Sequence, residues 1–155
     1  MALTIHAADE LRSTWDGPDP AEGLKGGAVA VEGGRVAATG SLAELQARFP
    51  GARVRRWPGV LGPALVHRGP IPDAPTPRER VHALLKLGAV AVLEEYADTA
   101  ALRAAAERND VVVLPRVRPA VIVDGGRADL AIFDENGNGA CLATVCGGRL
   151  VHRRR

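Results

Sequence analysis

At 155 residues the chain has the size of one domain, and such a domain buries roughly 68–70% of the surface its unfolded chain exposes. Hydrophobic residues at 46% and charged residues at 25% make an ordinary globular composition and exclude a disordered chain. A net charge of +2 is too small to imply nucleic acid, and no apolar run reaches the ~18 residues of a membrane helix. The start, MALTIHAADE, lacks the basic segment and apolar core of a signal peptide, so a cytoplasmic protein is expected. Aromatic residues are only 3%, which leaves Val, Leu and Ala to build the core.

In chain order, Leu3–Ala7 alternates as a short strand does, and Asp16–Gly27 is a loop rich in Gly, Pro and Asp. Ala28–Glu32 and Arg35–Ala38 flank Gly33-Gly34, a dipeptide suited to a two-residue hairpin. Ser41 stands three residues before Glu44, a capping box that starts a helix over Leu42–Phe49. Arg53–Trp57 is the next strand. It leads into Gly59–Ile71 (GVLGPALVHRGPI), an apolar strand stopped by prolines.

After Pro72 the pattern turns helical. Thr76-Pro77-Arg78-Glu79 combines an N-cap, a proline at the first helical position and a glutamate at the third. The helix carries Val81, Leu84 and Leu85 on one face and ends near Gly88; Ala89–Leu93 is then apolar throughout. Thr99–Arg108 is a second helix with Leu102, Ala105 and Ala106 inward, followed by the strand Val111–Leu114. Short joints make these strands parallel, and with the prolyl-stopped strand beside them they form a βαβαβ unit. Arg118–Val123 and Asp129–Asp134 are further strand candidates around Asp124-Gly125-Gly126. Glu135–Gly139 is a turn, Ala140–Cys146 and Arg149–Arg153 flank Gly147-Gly148, and Arg153–Arg155 reads as a solvated tail.

The hairpins AVAVEGGRVAA and LATVCGGRLVH lie near opposite ends of the chain. An isolated hairpin is marginal in water, so the two are expected to join one sheet system with the helical stretch inserted between them. Cys141 and Cys146 share a strand at a separation of roughly 16 Å, too far for a disulfide. Their odd offset places them on opposite faces, and two unpaired thiols suit a reducing compartment.

The run at residues 26–59 resembles the opening of an amidohydrolase of the imidazolonepropionase and aminodeoxyfutalosine deaminase group. GGRADLAIFDENGNGACLATVCGGRLVHRRR resembles that group's ending, and residues 82–115 read like the first helices and strands of its barrel. The resemblance implies an α+β fold. In it, a discontinuous composite β-sandwich (residues 1–62 and 116–155) receives an inserted βαβαβ fragment of a TIM-like barrel (residues 63–115). In that family the entry to the barrel runs Pro-Gly-Leu-Val/Ile-Asp/Asn-x-His-x-His, and both histidines bind metal. Here it is Pro63, Ala64, Leu65, Val66, His67, Arg68, Gly69, Pro70 and Ile71, so the metal positions fall on Gly69 and Ile71. About 47 positions separate Pro70 from Val117, against about 200–250 residues for a whole barrel. The family's later ligands, a carboxylated lysine or glutamate, two histidines and an aspartate, have no matching positions.

No catalytic or cofactor-binding residue is therefore assigned, and no cofactor. The remaining metal candidates are His67, His6 and His152; the last two sit on the first and last strands and would need Cys141 or Cys146 to complete a zinc site. Arg68 beside His67 opposes a cation there, and His82 is a surface residue. Glu94, Glu95 and Asp98 end a buried strand, where barrel enzymes keep catalytic groups, but they read as a solvated strand end. Two functions follow. The first is a non-catalytic binding or oligomerisation module. Its sheet face, assigned to Val90, Val92, Val111 and Val113, is covered by a second copy or by a protein partner. The alternative is a metal-dependent hydrolase, with zinc or iron, of carbon–nitrogen bonds in a cyclic amide or amine. Neither needs nucleic acid or membrane.

Overall fold

In the computed structural model, residues 2–16, 23–134 and 139–154 are described. Most of the expected turn at Glu135–Gly139, the centre of the Asp16–Gly27 loop and Arg155 lie outside them. Among the described residues the chain runs through β1 (Leu3–Ala7), β2 (Glu10–Leu11), β3 (Leu24–Lys25), β4 (Gly27–Glu32), β5 (Arg35–Ser41), α1 (Leu42–Arg48), β6 (Arg53–Arg56), β7 (Val60–Pro63) and β8 (Leu65–His67). It continues through α2 (Pro77–Lys86), β9 (Ala89–Leu93), α3 (Ala100–Arg108), β10 (Val112–Leu114), β11 (Leu130–Phe133), β12 (Cys141–Cys146) and β13 (Arg149–Arg153).

Each helix starts at a hydroxyl that accepts a backbone N–H three residues on. Ser41 accepts from Glu44 at 3.1 Å, Thr76 from Glu79 at 3.2 Å and Thr99 from Leu102 at 3.1 Å. Pro77 occupies the first position of α2, and the chain leaves that helix through Gly88 at φ 88°.

The strands form three sheets: β5-β4-β1-β6, β13-β12-β11-β7-β2-β3 and the parallel β10-β9-β8. Apolar side chains then stack the layers. Val29, Val31 and Val36 of the four-stranded sheet share a buried cluster with Leu61, Leu130, Ile132 and Val145 of the six-stranded sheet. On its other face the four-stranded sheet packs Ile5, Ala28 and Ala30 against Leu45 of α1. The second face of the six-stranded sheet, with Ala131 and Phe133, meets α2 and α3. Thr144, fully buried, ties these layers by donating from its hydroxyl to the Leu85 carbonyl at 2.7 Å. Burying each Val, Leu or Phe contributes about 1.5–3 kcal/mol, so this stack of small contacts replaces the bulky aromatic anchors that the chain lacks.

Three expectations change. The two Gly-Gly hairpins lie in different sheets, β4–β5 in one and β12–β13 in the other, and meet across a core at their tips. A Cβ on Gly148 would overlap Gly33 O, and Gly148 N donates to Ala128 O, whose own N–H reaches Gly34 O. Second, Arg118–Val123 is not a strand. It makes an isolated bridge from Val121 to Thr14, and Pro119 cannot donate to a ladder. Third, both cysteines face the same layer. A bulge pairs Ala143 with Ile132 but Cys141 with Phe133; the extra residue flips Cys141 onto the face of Thr144 and Cys146. Both thiols are free and buried.

Candidate functional site: the pivot and the helix-free face of the parallel sheet

The chain changes sheets at Pro63-Ala64. β7 belongs to the six-stranded sheet and β8 begins the parallel one. The Trp15 indole N–H donates to Pro63 O at 2.7 Å, and its ring stands edge-on to Phe133 at 5.4 Å. Gly62 is required beneath it, because a Cβ there would enter the Trp15 ring. Ala64 N donates to Asp129 O at 3.0 Å and Leu65 N to Gly88 O at 2.8 Å, so consecutive residues are anchored to different sheets.

Beyond this turn the two positions that correspond to metal ligands diverge. Gly69 has nothing within 4 Å of where a Cβ would stand. Ile71 is 4% exposed and packs in the core that holds Val81, Leu84 and Leu85; its carbonyl accepts from Arg80 Nη2 at 3.1 Å. One position opens to solvent and the other points under the helices, and neither residue carries a donor atom for a metal. His67 precedes both in sequence, with its Nε2 2.9 Å from Pro70 O.

The other candidates are held apart. His6 is 3% exposed on β1, and its Nδ1 accepts the Trp57 indole N–H at 3.2 Å. Burial first, and the nearby charge of Arg55 second, pull its pKa from 6.5 down to about 4, so the ring is neutral at ordinary pH. His152, on β13 in the other sheet, has its Nε2 3.2 Å from Cys141 O. Burial pushes the Cys146 thiol up to about 11, against the opposing pull of Arg127, whose Nη2 donates to Sγ at 3.1 Å. Burial raises the Cys141 thiol as well. Protonated thiols are poor ligands and poor nucleophiles. Glu94, Glu95 and Asp98 are exposed beyond the end of β9, and His82 is exposed on α2. Among the described residues, no group of three or more His, Cys, Asp and Glu side chains is placed to hold a metal ion.

The sheet face needs correcting. Val90, Val92 and Val111 are buried against α2 and α3, and Val113 packs with them, so the chain covers these valines itself. The opposite face carries Ala91, Leu93 and Leu114, with Val66, Val112 and Tyr96 partly buried beside them; no residue of α2 or α3 joins that cluster. Strands AVAVL and VVL give no polar residue to tell one face from the other, and only the observed register separates them. The segment after β10 runs beside this face and leaves Val117, Val121 and Val123 at 40%, 51% and 51% exposure. Between that segment and the start of β8 lies a cavity of about 310 Å³, bordered by Val66, Arg118, Val121 and Asp129. Asp129 is raised above the usual carboxylate range by burial, although Gly147 N and Arg127 Nε reach it at 2.8 and 3.1 Å. The arrangement offers apolar surface with one half-buried carboxylate, Asp129, at the margin of the cavity. Among the described residues no helix is long and apolar enough to cross a membrane.

Residues 27–52, which comprise β4, β5 and α1, match the family described as imidazolonepropionase-like composite domain, bacteria. A comparison with curated proteins gave no match. Among solved structures the chain is similar to E. coli guanine deaminase, at TM-score 0.52 and 17% identity over 73% of this chain and 35% of that one. It is similar to guanine deaminase from Bradyrhizobium japonicum at 0.51 and 14%, over 73% and 34%. A triazine hydrolase variant follows at 0.50 and 15%, over 73% and 35%. The chain thus spans about a third of the length of the structures it matches. By the match at residues 27–52 and by its fold, the chain resembles the amidohydrolase superfamily, and within it the proteins that carry an imidazolonepropionase-like composite domain.

Proposed function

We propose that the chain is an amidohydrolase-like protein without catalysis, acting as a binding and oligomerisation module. On this reading residues 1–62 and 116–155 are a composite β-sandwich, and residues 63–115 are a βαβαβ fragment of a TIM-like barrel. The parallel order of β8, β9 and β10, with α2 and α3 on one side, supports that reading. Two buried, unpaired thiols suit a cytoplasmic setting.

One observation carries the function: beside the apolar face of the parallel sheet turned away from the helices, whose Ala91, Leu93 and Leu114 the chain itself buries, Val121 and Val123 stand exposed. A full barrel would close over such a face. Here a second copy of the chain covers Val121 and Val123 in an isologous pair, the commonest arrangement of like subunits. Sedimentation velocity over a range of concentrations tests this, with a species of twice 16.2 kDa expected. Val121→Asp and Val123→Asp should dissociate it with circular dichroism unchanged. A species of 16.2 kDa at every concentration would reject the pairing.

A further inference from the structure

The fold assembles a cationic edge from opposite ends of the chain. β6 is the last strand of the four-stranded sheet and β13 the last of the six-stranded sheet. Arg153 of β13 lies over the ring of Trp57, which directly follows β6, at 5.5 Å. Arg53 and Arg55 are in register with Thr4 and His6, while Val54 between them packs on the α1 side. Both arginines therefore project from the face of β6 nearer Arg153. Burial, and then the charges of Arg53 and Arg153, hold the Arg55 pKa below its ordinary value. Arg56 and Arg154, the residues that follow Arg55 and Arg153, are exposed. Among the described residues, ion pairs join Arg12 to Glu10, Arg127 to Asp129 and Arg149 to Asp110, and none of these involves Arg53, Arg55 or Arg153.

Like charges held together raise the energy of the free chain, and an anion placed among them lowers it. We infer that the β6–β13 edge receives an acidic, extended segment of a partner protein. Arg53 and Arg55 are about 6.6 Å apart along the strand, the spacing of alternate side chains in a paired peptide. A terminal strand also offers unpaired backbone groups for strand addition, and each guanidinium fork fits a carboxylate. Single-stranded nucleic acid is disfavoured, because it needs open rings for stacking and Trp57 is 9% exposed beneath Arg153. The inference stands independently of whether the chain is catalytic.

Charged edge strands also deter edge-to-edge pairing, a role that lysine fills as well as arginine. The test therefore compares the two cations. Fluorescence anisotropy of a labelled peptide alternating Glu and Thr is followed with the full chain, with a Gln-Thr peptide and an oligothymidylate as comparisons. The acidic peptide should bind and the Gln-Thr peptide should not. Arg55→Lys should weaken binding about tenfold and Arg55→Gln should abolish it, with circular dichroism unchanged. Equal binding of the Gln-Thr peptide, wild-type affinity in Arg55→Lys, tighter binding of the oligothymidylate, or no binding of any probe would overturn the inference.

Discussion

His6 makes the fold sensitive to acid over a defined window. Its ring is enclosed on β1, accepts the Trp57 indole N–H at 3.2 Å, and has a pKa lowered from 6.5 to about 4. The unfolded chain takes up a proton below pH 6.5, whereas the folded chain resists it until about 4. Stability is therefore complete above pH 6.5, falls as pH drops from 6.5 toward 4, and levels off below. At about 1.36 kcal/mol per pH unit, that interval corresponds to roughly 3 kcal/mol, a large share of the about 5–15 kcal/mol that holds a domain together. Asp129 acts in the opposite sense: its raised pKa favours the fold at low pH and offsets part of the loss near the bottom of the window. Urea unfolding at a series of pH values, with the imidazole signal of His6 followed by NMR, measures the effect. His6→Gln keeps an acceptor for Trp57 and takes up no proton, so its stability should stay flat across the same window. A folded-state His6 that titrates near 6.5, or a His6→Gln variant that keeps the wild-type profile, would refute the reasoning.

The interlocked hairpin tips predict that Gly148→Ala, at φ 85° and against Gly33 O, costs about 1–3 kcal/mol in denaturant unfolding. Thr144→Val removes the hydroxyl that holds Leu85 O and should cost about 1 kcal/mol by the same assay. Cys141 and Cys146 should react with a thiol reagent only at the rate of unfolding; rapid labelling of the native chain would contradict their burial. Placing histidines at Gly69 and Ile71 should not create a metal site, because Ile71 points into the helix-covered core. Ile71→His should instead lose about 2–4 kcal/mol, and tight zinc binding by the double variant would show that placement to be wrong.

The helices were legible because their starts are chemical. Ser41, Thr76 and Thr99 each supply the capping oxygen, and Pro77 pre-sets the first turn of α2. The parallel order of β8, β9 and β10 followed from helices between short apolar runs, since no tight turn can join parallel neighbours. Which face of β9 and β10 the helices cover did not follow, because five consecutive apolar residues in Ala89–Leu93 carry no alternation. The bulge that brings Cys141 and Cys146 to one side is a property of the pairing with β11 and has no local signature. Arg118–Val123 is β-branched enough to suggest a strand, but Pro119 and a lack of neighbouring strands leave it a strap beside the sheet. The cationic edge was hidden for another reason. Arg55 and Arg153 lie far apart in sequence, and only the adjacency of two sheet edges makes them one surface.

The most direct test of a retained shell around a lost metal centre is the metal content of the chain, purified without an affinity tag and exposed in turn to zinc and to iron. After dialysis the account predicts far less than one equivalent of either metal, because Gly69 and Ile71 offer no ligand and the remaining histidines are held apart. One zinc or iron retained per chain, with hydrolysis of a cyclic amide or amine, would contradict it.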